Sequence, residues 1–454
     1  MSHREQIRQW RSTHPRGLAV LDDDPTGSQG VHHVEVVTVL EDAELDAALR
    51  GESGVAFVLT NTRGLPEDDA VRLTERVAGS LLALDPGLDI VSRSDSTLRG
   101  HVLAEVAAIN ARLARPVDGV ILAPAFFEAG RFTEGDVHYA TIAGQPVPVG
   151  ETEFARDATF GYSSSNLREF VAEKSGGTIA ADDVLSIPLE AIREGGADAV
   201  RDILLGARDG RWIVANGTDY ADYEVVVLGV QAAIDAGRTF LFRTGPSFVR
   251  SLAGIEPQPP LGTPGSAPLQ VGRGHGLVVV GSHVSQTSRQ VAAARQRGGL
   301  VEVEVSVARI LDGDADHVRE RTDAVLAALE TGDVILFTSR ELVTGADAAS
   351  SLDIARAVSA AVSSIVAGSL AARPAWVIAK GGITSHDVAV HGLGIRRATV
   401  LGQLLPGQIS VFDPIAASPG VVGIPYVVFA GNVGGDETLA DVIATLHAAQ
   451  ATEG

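Results

Sequence analysis

The sequence predicts an α/β protein of two domains, each a largely parallel sheet flanked by helices, joined by a Pro/Gly-rich linker. Three observations carry that expectation. At 454 residues the chain exceeds what one hydrophobic core usually serves. Short apolar runs alternate with stretches of helical spacing through both halves, the pattern of βαβ units. Between Gly254 and Gly276, "GIEPQPPLGTPGSAPLQVGRGHG" carries five prolines and almost no periodicity. The expected layout is a first domain at 1–253, a linker at 254–275 and a second domain at 276–454.

Composition narrows the class. Hydrophobic residues make up 45%, with 50 Gly but only 13 Phe, 5 Tyr and 3 Trp, which suits Val/Ala/Leu layers turned by glycine. No run of about 18 apolar residues occurs, so no membrane span is expected. "MSHREQIRQWRSTHPRG" has no apolar core of signal-peptide length. Cysteine is absent, which removes disulfides and thiol catalysis and permits a cytoplasmic location. A net charge of −21 argues against nucleic acid or an anionic membrane as partner. An anionic substrate then needs a locally cationic pocket, and with lysine only at Lys174 and Lys380, arginine must build it.

The first domain opens on "GLAVLDDDPTGSQG", Gly17 to Gly30. Leu18 to Leu21 read as a buried strand that delivers Asp22, Asp23 and Asp24 into a turn. Pro25 presets φ and Gly27 permits φ > 0, so the strand is expected to stop there. Three adjacent carboxylates repel unless a cation, an arginine or a proton relieves them. A solvated, helix-capping acidic turn is the bland alternative, but the hydroxyls of Thr26 and Ser28 favour a site. "HHVEVVTVL" reads as a strand, His32 and His33 as its surface start, and "EDAELDAALR" as a helix. "GVAFVLTNTRG" is a strand ending in Thr60, Asn61, Thr62 and Arg63, followed by a helix over "PEDDAVRLTERVAGSLLAL" with proline at its start and acids in its first turn. "LDIVSRSDSTLRGHV" ends in Arg93, Asp95, Ser96, Thr97, Arg99 and His101, and "GVILAPAF" leads to Glu128, Arg131 and Thr133.

Jointly these strand ends could hold a polyhydroxylated anion, since open parallel sheets bind ligands at the carboxyl ends of their strands. Arg63, Arg99 and Arg131 each offer a bidentate fork to a carboxylate, and Asp95 and Ser96 suit sugar hydroxyls. Residues 125–165 have little periodicity and are too long for a plain connection, so they are expected to form a substrate-covering excursion. "SNLREFVAEKSGG" restores a helix, and "VLSIPL", "RWIVANGT" and "TFLFRTGPS" are further strands.

In the second domain a strand runs into Gly281-Ser282 and a helix carrying Ser285, Thr287 and Arg289. "VEVEV", the helix "ADHVRERTDAVLAALETG", the strand "DVILFTS" and the long helix "SLDIARAVSAAVSSIVAGSLAA" follow. "AWVIAK" then enters Lys380-Gly381-Gly382-Ile383-Thr384, with a helix expected to open at Ser385 or His386, and "IPYVVFAGNVGGDETLADVIATL" repeats the arrangement around Gly431-Asn432-Val433-Gly434-Gly435. Ordinary αβ turns use glycine freely. Three such turns in one domain point to nucleotide phosphates, because adjacent glycines let backbone wrap an anion. "GRGHG" precedes a strand and is discounted as a dinucleotide fingerprint. No P-loop, H-R-D, H-E-x-x-H or G-x-S-x-G motif is present, so phosphoryl transfer here would use a different loop.

These residues resemble the four-carbon acid sugar kinase family. The resemblance rests on Asp23-Asp24-x-Thr26-Gly27, Asp95 to Gly100, "PAFFEAGRFTEGDVHY", Gly281-Ser282, Gly381-Gly382-x-Thr384 and Gly431-Asn432-x-Gly434, in the family's order over nearly the whole chain. The chain departs from it at Ile383, at Phe429-Ala430, at Val433 and in the extra acid Asp22. The resemblance implies an N-terminal sugar-acid domain and a C-terminal ATP domain. It further implies transfer to a terminal hydroxyl of a tetronate or oxo-tetronate, with Asp24 or Asp23 orienting or deprotonating that hydroxyl. Arg99, or less directly Arg63, would take the carboxylate, with Asp22, Thr26, Asp95, Ser96 and Arg131 also lining the acid. ATP phosphates would sit on Ser282, Ser285, Lys380 to Thr384 and Gly431, Asn432 and Gly434, bridged by Mg²⁺ through ligands the sequence does not identify. Two other readings remain. Asp22-x-Asp24-x-Thr26 spells the nucleophile motif of haloacid-dehalogenase-like phosphatases, though Lys174 and Asp182-Asp183 are misplaced for it. A non-enzymatic sugar-acid sensor is the third. Expected partners are small molecules, and the oligomeric state, a homo-oligomer included, is left open.

Overall fold

The computed structural model describes residues 1–14, 16–24, 26–339, 343 and 348–452. Pro25, and with it the expected role of its ring in the acidic turn, lies outside the described residues. The chain divides into two compact units, one of residues 1–34 and 40–257, the other of residues 35–39 and 258–454.

In chain order the strands are β1 Leu18–Asp22, β2 Glu35–Val37, β3 Val55–Leu59, β4 Asp89–Arg93, β5 Gly119–Ala123, β6 Arg131–Glu134, β7 Val137–Ile142, β8 Gln145–Pro148, β9 Leu185–Ile187, β10 Arg211–Ala215 and β11 Phe240–Thr244. Beyond these come β12 Leu277–Val280, β13 Leu300–Val305, β14 Asp333–Thr338, β15 Val377–Lys380, β16 Arg397–Leu405, β17 Ile409–Ala416 and β18 Tyr426–Phe429.

The first unit is built on a parallel sheet in the order β3-β1-β4-β11-β5-β10-β9. β1, β3 and β5 are buried at every residue, as continuous apolar runs covered on both faces must be. Because β3 and β4 flank β1 on opposite sides, the chain reverses direction across the sheet at the carboxyl end of β1, the place where such sheets bind ligands. The helix Glu67–Leu84 begins after Pro66 with Glu67, Asp68 and Asp69 in its first turn and buries Ala70, Val77, Ala78 and Leu81.

Residues 125–165 are more regular than expected. β6, β7 and β8 form an antiparallel sheet joined by two tight loops. Gly135 and Asp136 both have positive φ, as do Ala143 and Gly144, the requirement of two-residue type I′ hairpin turns.

The second unit has parallel strands in the order β13-β14-β12-β15-β18, extended by antiparallel β17, β16 and β2. The β16–β17 hairpin was not expected. β2, read as part of a longer strand of the first half, is short and pairs with β16 of this unit. The proline-rich stretch contains no helix or strand, but Leu261, Leu269 and Val271 are buried in the core with Val278, Ile335, Trp376, Val427 and Leu446, so from Gln258 it is part of the second unit. The helix expected to open at Ser385 or His386 opens earlier, at Gly382, and runs to Asp387 before a π turn at Val388–Gly392. One segment, Asp353–Ala372, is long and apolar enough to cross a membrane, which the sequence reading did not anticipate; its Val362, Ile365 and Val366 are buried.

Candidate active site

At the end of β1 the three carboxylates separate into three environments. Asp22 is fully buried, accepts from Asp24 N at 3.0 Å and Arg93 Nη1 at 2.7 Å, and its Oδ2 has no hydrogen-bond partner among the described residues. Burial, opposed by Arg93 and reinforced by Asp23 and Asp24, pushes its carboxyl up to about 6. Asp23 is 1% exposed and is gripped by Arg63, through Nη2 at 2.5 Å and Nε at 3.4 Å; burial raises its pKa against Arg63. The Asp24 side chain keeps 24% of its surface. Its Oδ1 accepts from Thr26 N at 2.7 Å and Thr26 Oγ1 at 2.6 Å, and Oδ2 accepts from Arg63 Nη1 at 3.0 Å. Desolvation works to raise Asp24, but Arg63, Arg93 and Thr26 outweigh it and hold the carboxyl below the usual range. Among the three, Asp24 is the carboxylate that a ligand can touch.

The glycine after Thr26 is there for a different reason from the one expected. Gly27 has no positive φ; the left-handed residues of this turn are Ser28 and Gly30. A Cβ on Gly27 would lie 2.3 Å from Asp22 Oδ2 and 2.9 Å from Leu59 Cδ2, so glycine lets the turn close over the buried carboxylate. Gly100 does the same for the neighbouring loop: its φ is +118, and a Cβ would meet Asp23 Oδ2 at 2.9 Å. Ser28, Asn61 and Leu98, just beyond β1, β3 and β4, are non-glycine residues with positive φ, and such strain persists only where surrounding contacts over-determine the backbone.

The Asp95–Gly100 loop follows β4. Asp95 accepts from Arg99 Nε at 2.6 Å and from Thr97 Oγ1, and Arg63 and Arg99 outweigh its desolvation to depress its pKa. Ser96 Oγ accepts from Arg131 Nη1 at 2.8 Å, and Ser96 O is 2.8 Å from His138 Nε2. His138 is fully buried and its other nitrogen lies 2.9 Å from Thr133 Oγ1, while Tyr162 donates to Thr97 O at 2.7 Å. The β6–β8 excursion is thus fastened onto this loop, and Phe154 from it lies 5.5 Å from both the Arg99 and Arg131 guanidinium carbons. Asp22, Asp23, Asp24, Thr26 and Arg63 form one bonded cluster, and Asp95, Ser96, Arg99 and Arg131 a second linked to it by the field of Arg63 on Asp95. Glu128 and Thr133, also singled out at strand ends, serve the fold: Glu128 accepts from Tyr220 and Arg250, and Thr133 is buried.

Arg93 and Thr62, named at strand ends without a role of their own, and Ser92, Glu105 and Arg243, which the sequence analysis did not single out, hold the site in place. Arg93 neutralises Asp22, and Arg243, fully buried, bonds Glu105 and Ser92 while Glu105 accepts from Thr62 Oγ1 at 2.5 Å. The signal was present: arginine as the last residue of β4 and near the end of β11 puts a cation inside an apolar strand, which demands a buried acid.

In the second unit the three glycine turns converge. β12 lies between β14 and β15, again at a reversal of the chain's direction across the sheet. A Cβ on Gly281 would lie 2.4 Å from Thr384 Oγ1, one on Gly381 3.1 Å from Ser282 Cβ, and one on Gly431 2.7 Å from Ser282 Oγ. Ser282 and Thr384 therefore sit where any other residue at these glycines would intrude. Thr287 Oγ1 donates to Gly431 O at 2.9 Å and Gln290 Nε2 to Val433 O and Gly435 O at 2.8 Å, which pins the last turn to the helix Ser285–Arg297. Lys380 is fully buried, donates to Ala430 O at 2.7 Å and Gly431 O at 3.2 Å, and lies 3.7 Å from the Phe429 ring centre. Desolvation brings its pKa down to about 7. Gly434 has φ +81. Ser285 and Asn432 are exposed, Gly382 starts the helix, and Ile383 is 68% exposed. Beside Gly281 and Thr384 lies a largely apolar cavity of about 280 Å³, walled by Val307, Ile354, Val358, Val362, Ile383 and Val388.

Comparison with known proteins agrees with this division. Residues 18–252 match the family model of a sugar-binding N-terminal domain, and residues 277–439 that of a nucleotide-binding C-terminal domain. D-threonate kinase of Salmonella typhimurium strain LT2 is 29% identical over 333 residues, covering 71% of this chain and 72% of that protein. A Salmonella typhimurium LT2 protein crystallised under the provisional name of a tRNA synthase shares the fold at a TM-score of 0.69, with 17% identity, covering 94% of this chain and 98% of that one. The Haemophilus influenzae protein HI1011 shares it at 0.63, also with 17% identity, over 95% and 99% of the two chains. With both domain models matched in order and a sugar-acid kinase as relative, this chain belongs to the four-carbon acid sugar kinase family.

Proposed function

We propose that the protein is an ATP-dependent kinase that phosphorylates a terminal hydroxyl of a four-carbon sugar acid. The observation that carries this reading is the division of chemistry: an arginine-buffered carboxylate edge lies in the sugar-binding portion, and converging glycine turns lie in the nucleotide-binding portion. Asp24 is the base or orienting group, because Asp22 and Asp23 are sealed and the Asp95 side chain, ion-paired to Arg99, keeps only 9% of its surface against 24% for Asp24. A depressed pKa suits this role, since an always-ionised carboxylate accepts and aligns the hydroxyl proton while phosphoryl transfer itself asks mainly for positioning. The new P–O bond forms at that hydroxyl oxygen as the bond to ADP breaks, and the proton passes to Asp24 Oδ.

In the second unit the cradle left by Gly281, Gly381 and Gly431 suits phosphate oxygens, with Ser282 and Thr384 as hydroxyl donors, and the apolar cavity suits the base. Among the described residues no group of three or more His, Cys, Asp or Glu could hold a metal. The Ser282 and Thr384 hydroxyls beside the cradle are hard oxygen donors that would suit Mg²⁺ carried on the nucleotide phosphates, which would neutralise charge there. The phosphatase reading loses support because its nucleophile, Asp22, is 0% exposed and bonded to Arg93. The test is a panel of four-carbon sugar acids with ATP and Mg²⁺: ADP should accumulate only with a suitable acid, whereas hydrolysis of simple phosphate esters without ATP would favour the phosphatase.

A further inference from the structure

The site edge of the first unit carries four arginines, and their charges are not equally spoken for. Arg63 is bonded to Asp23 and Asp24, Arg93 to Asp22, and Arg99 to Asp95 with Asp157 at 3.8 Å. Arg131 has, among the described residues, no carboxylate within salt-bridge distance; its one hydrogen-bond partner is the neutral Ser96 hydroxyl, and Phe154 packs near its face. We propose that Arg131, rather than Arg99 or Arg63, receives the carboxylate of the sugar acid. This rests on the sugar-acid kinase reading and assigns the group that makes the substrate an acid.

Three features support the assignment. One Nη1–H is used by Ser96, so most of the guanidinium's five donors remain for a ligand, enough for a bidentate fork. The aromatic ring and the Ser96 bond hold the guanidinium in one orientation, which reduces the entropy lost when an anion docks. Arg131 also bears an electrostatic cost: desolvation, with Arg99 and Arg93 beside it, lowers its pKa against the opposing fields of Asp95 and Tyr162. An incoming carboxylate relieves that cost. Arg99, by contrast, already has its charge matched by Asp95, 2.6 Å from its Nε.

Arg131 starts β6 and His138 lies on β7, and both bond Ser96, which ties the small sheet to the Asp95–Gly100 loop. Ordering of the excursion and binding of the acid are thereby linked: the residue that meets the carboxylate belongs to the segment that covers it.

The experiment is calorimetry on the full-length protein with a four-carbon aldonic acid and with the tetritol that keeps its hydroxyls but lacks the charge. Wild type, Arg131→Gln, Arg131→Lys and Arg99→Gln are compared. Arg131→Gln should weaken the acid about 100-fold or more and leave the tetritol within about two-fold, a difference of the size expected for a charge-assisted bidentate contact. Arg131→Lys should recover part of the loss. Undiminished acid affinity in Arg131→Gln, equal loss of acid and tetritol, or a larger acid-selective loss in Arg99→Gln would overturn the proposal. If wild type binds the acid but makes no ADP from ATP, the kinase reading fails while the Arg131 comparison still stands. If wild type binds no four-carbon acid, both fail.

Discussion

Asp22 and Asp24 stand two residues apart and are pushed in opposite directions, one up to about 6 by burial, the other below the ordinary range by Arg63, Arg93 and Thr26. Different roles follow. Asp24→Asn keeps the size but removes the charge and turns one of the oxygens that accept from Thr26 and Arg63 into a donor, so kcat should fall by roughly 10²–10⁴ with little change in KM, measured by steady-state kinetics. Asp22 is read instead through stability. Its folded pKa, raised from 3.8 to about 6, means the folded state binds a proton more tightly than the unfolded chain. Its favourable contribution is therefore full below about pH 4 and lost as pH rises through 6. Asp22→Asn, which mimics the protonated form, should gain in Tm relative to wild type as pH climbs from 4 to 7, and a constant difference across that range would contradict this account. The sequence placed all three acids at a strand end, but could not order them by burial. That ordering comes from Gly27 closing over Asp22 and from Arg93, contacts between segments that one-dimensional patterns do not encode.

Among the elements, continuous apolar strands ending in polar residues were legible because a strand covered on both faces has no alternative composition. The β6–β8 sheet was not, since its strands are short and few of their residues are buried, yet its turns were written in Gly135-Asp136 and Ala143-Gly144. The glycine turns of the second unit were read as backbone that wraps phosphate; in the structure Gly281, Gly381 and Gly431 are places of close approach, and the helix after Gly381 opens sooner than the spacing suggested. Gly281→Ala tests their function at this scale. The new Cβ would meet Thr384 Oγ1 at 2.4 Å, so the Thr384 side chain or its turn must shift. Overpacking of that kind costs about 1–3 kcal/mol. KM for nucleotide should rise at least ten-fold, while calorimetric affinity for the sugar acid stays near wild type. A variant with unchanged nucleotide KM would remove these turns from the phosphate site.

For the whole molecule, a chain with 57 acidic and 36 basic residues must gather arginine where it binds an anion, and the first unit does so at the ends of β3, β4 and the start of β6. The two-unit organisation was legible from the proline-rich interruption. Its discontinuity was not, because β2 is only Glu35–Val37 and finds its partner β16 far along the chain. A fragment starting at Gly276 would lack β2 and the buried Leu261, Leu269 and Val271, so functional tests belong on the full chain. The most direct of them follows the reaction with ATP, Mg²⁺ and the preferred four-carbon acid by phosphorus NMR. The account predicts a new phosphomonoester resonance coupled to the terminal carbinol protons of the acid, growing in step with ADP and absent when the acid or ATP is omitted. Release of inorganic phosphate alone, or a phosphorus signal without coupling to those protons, would contradict it.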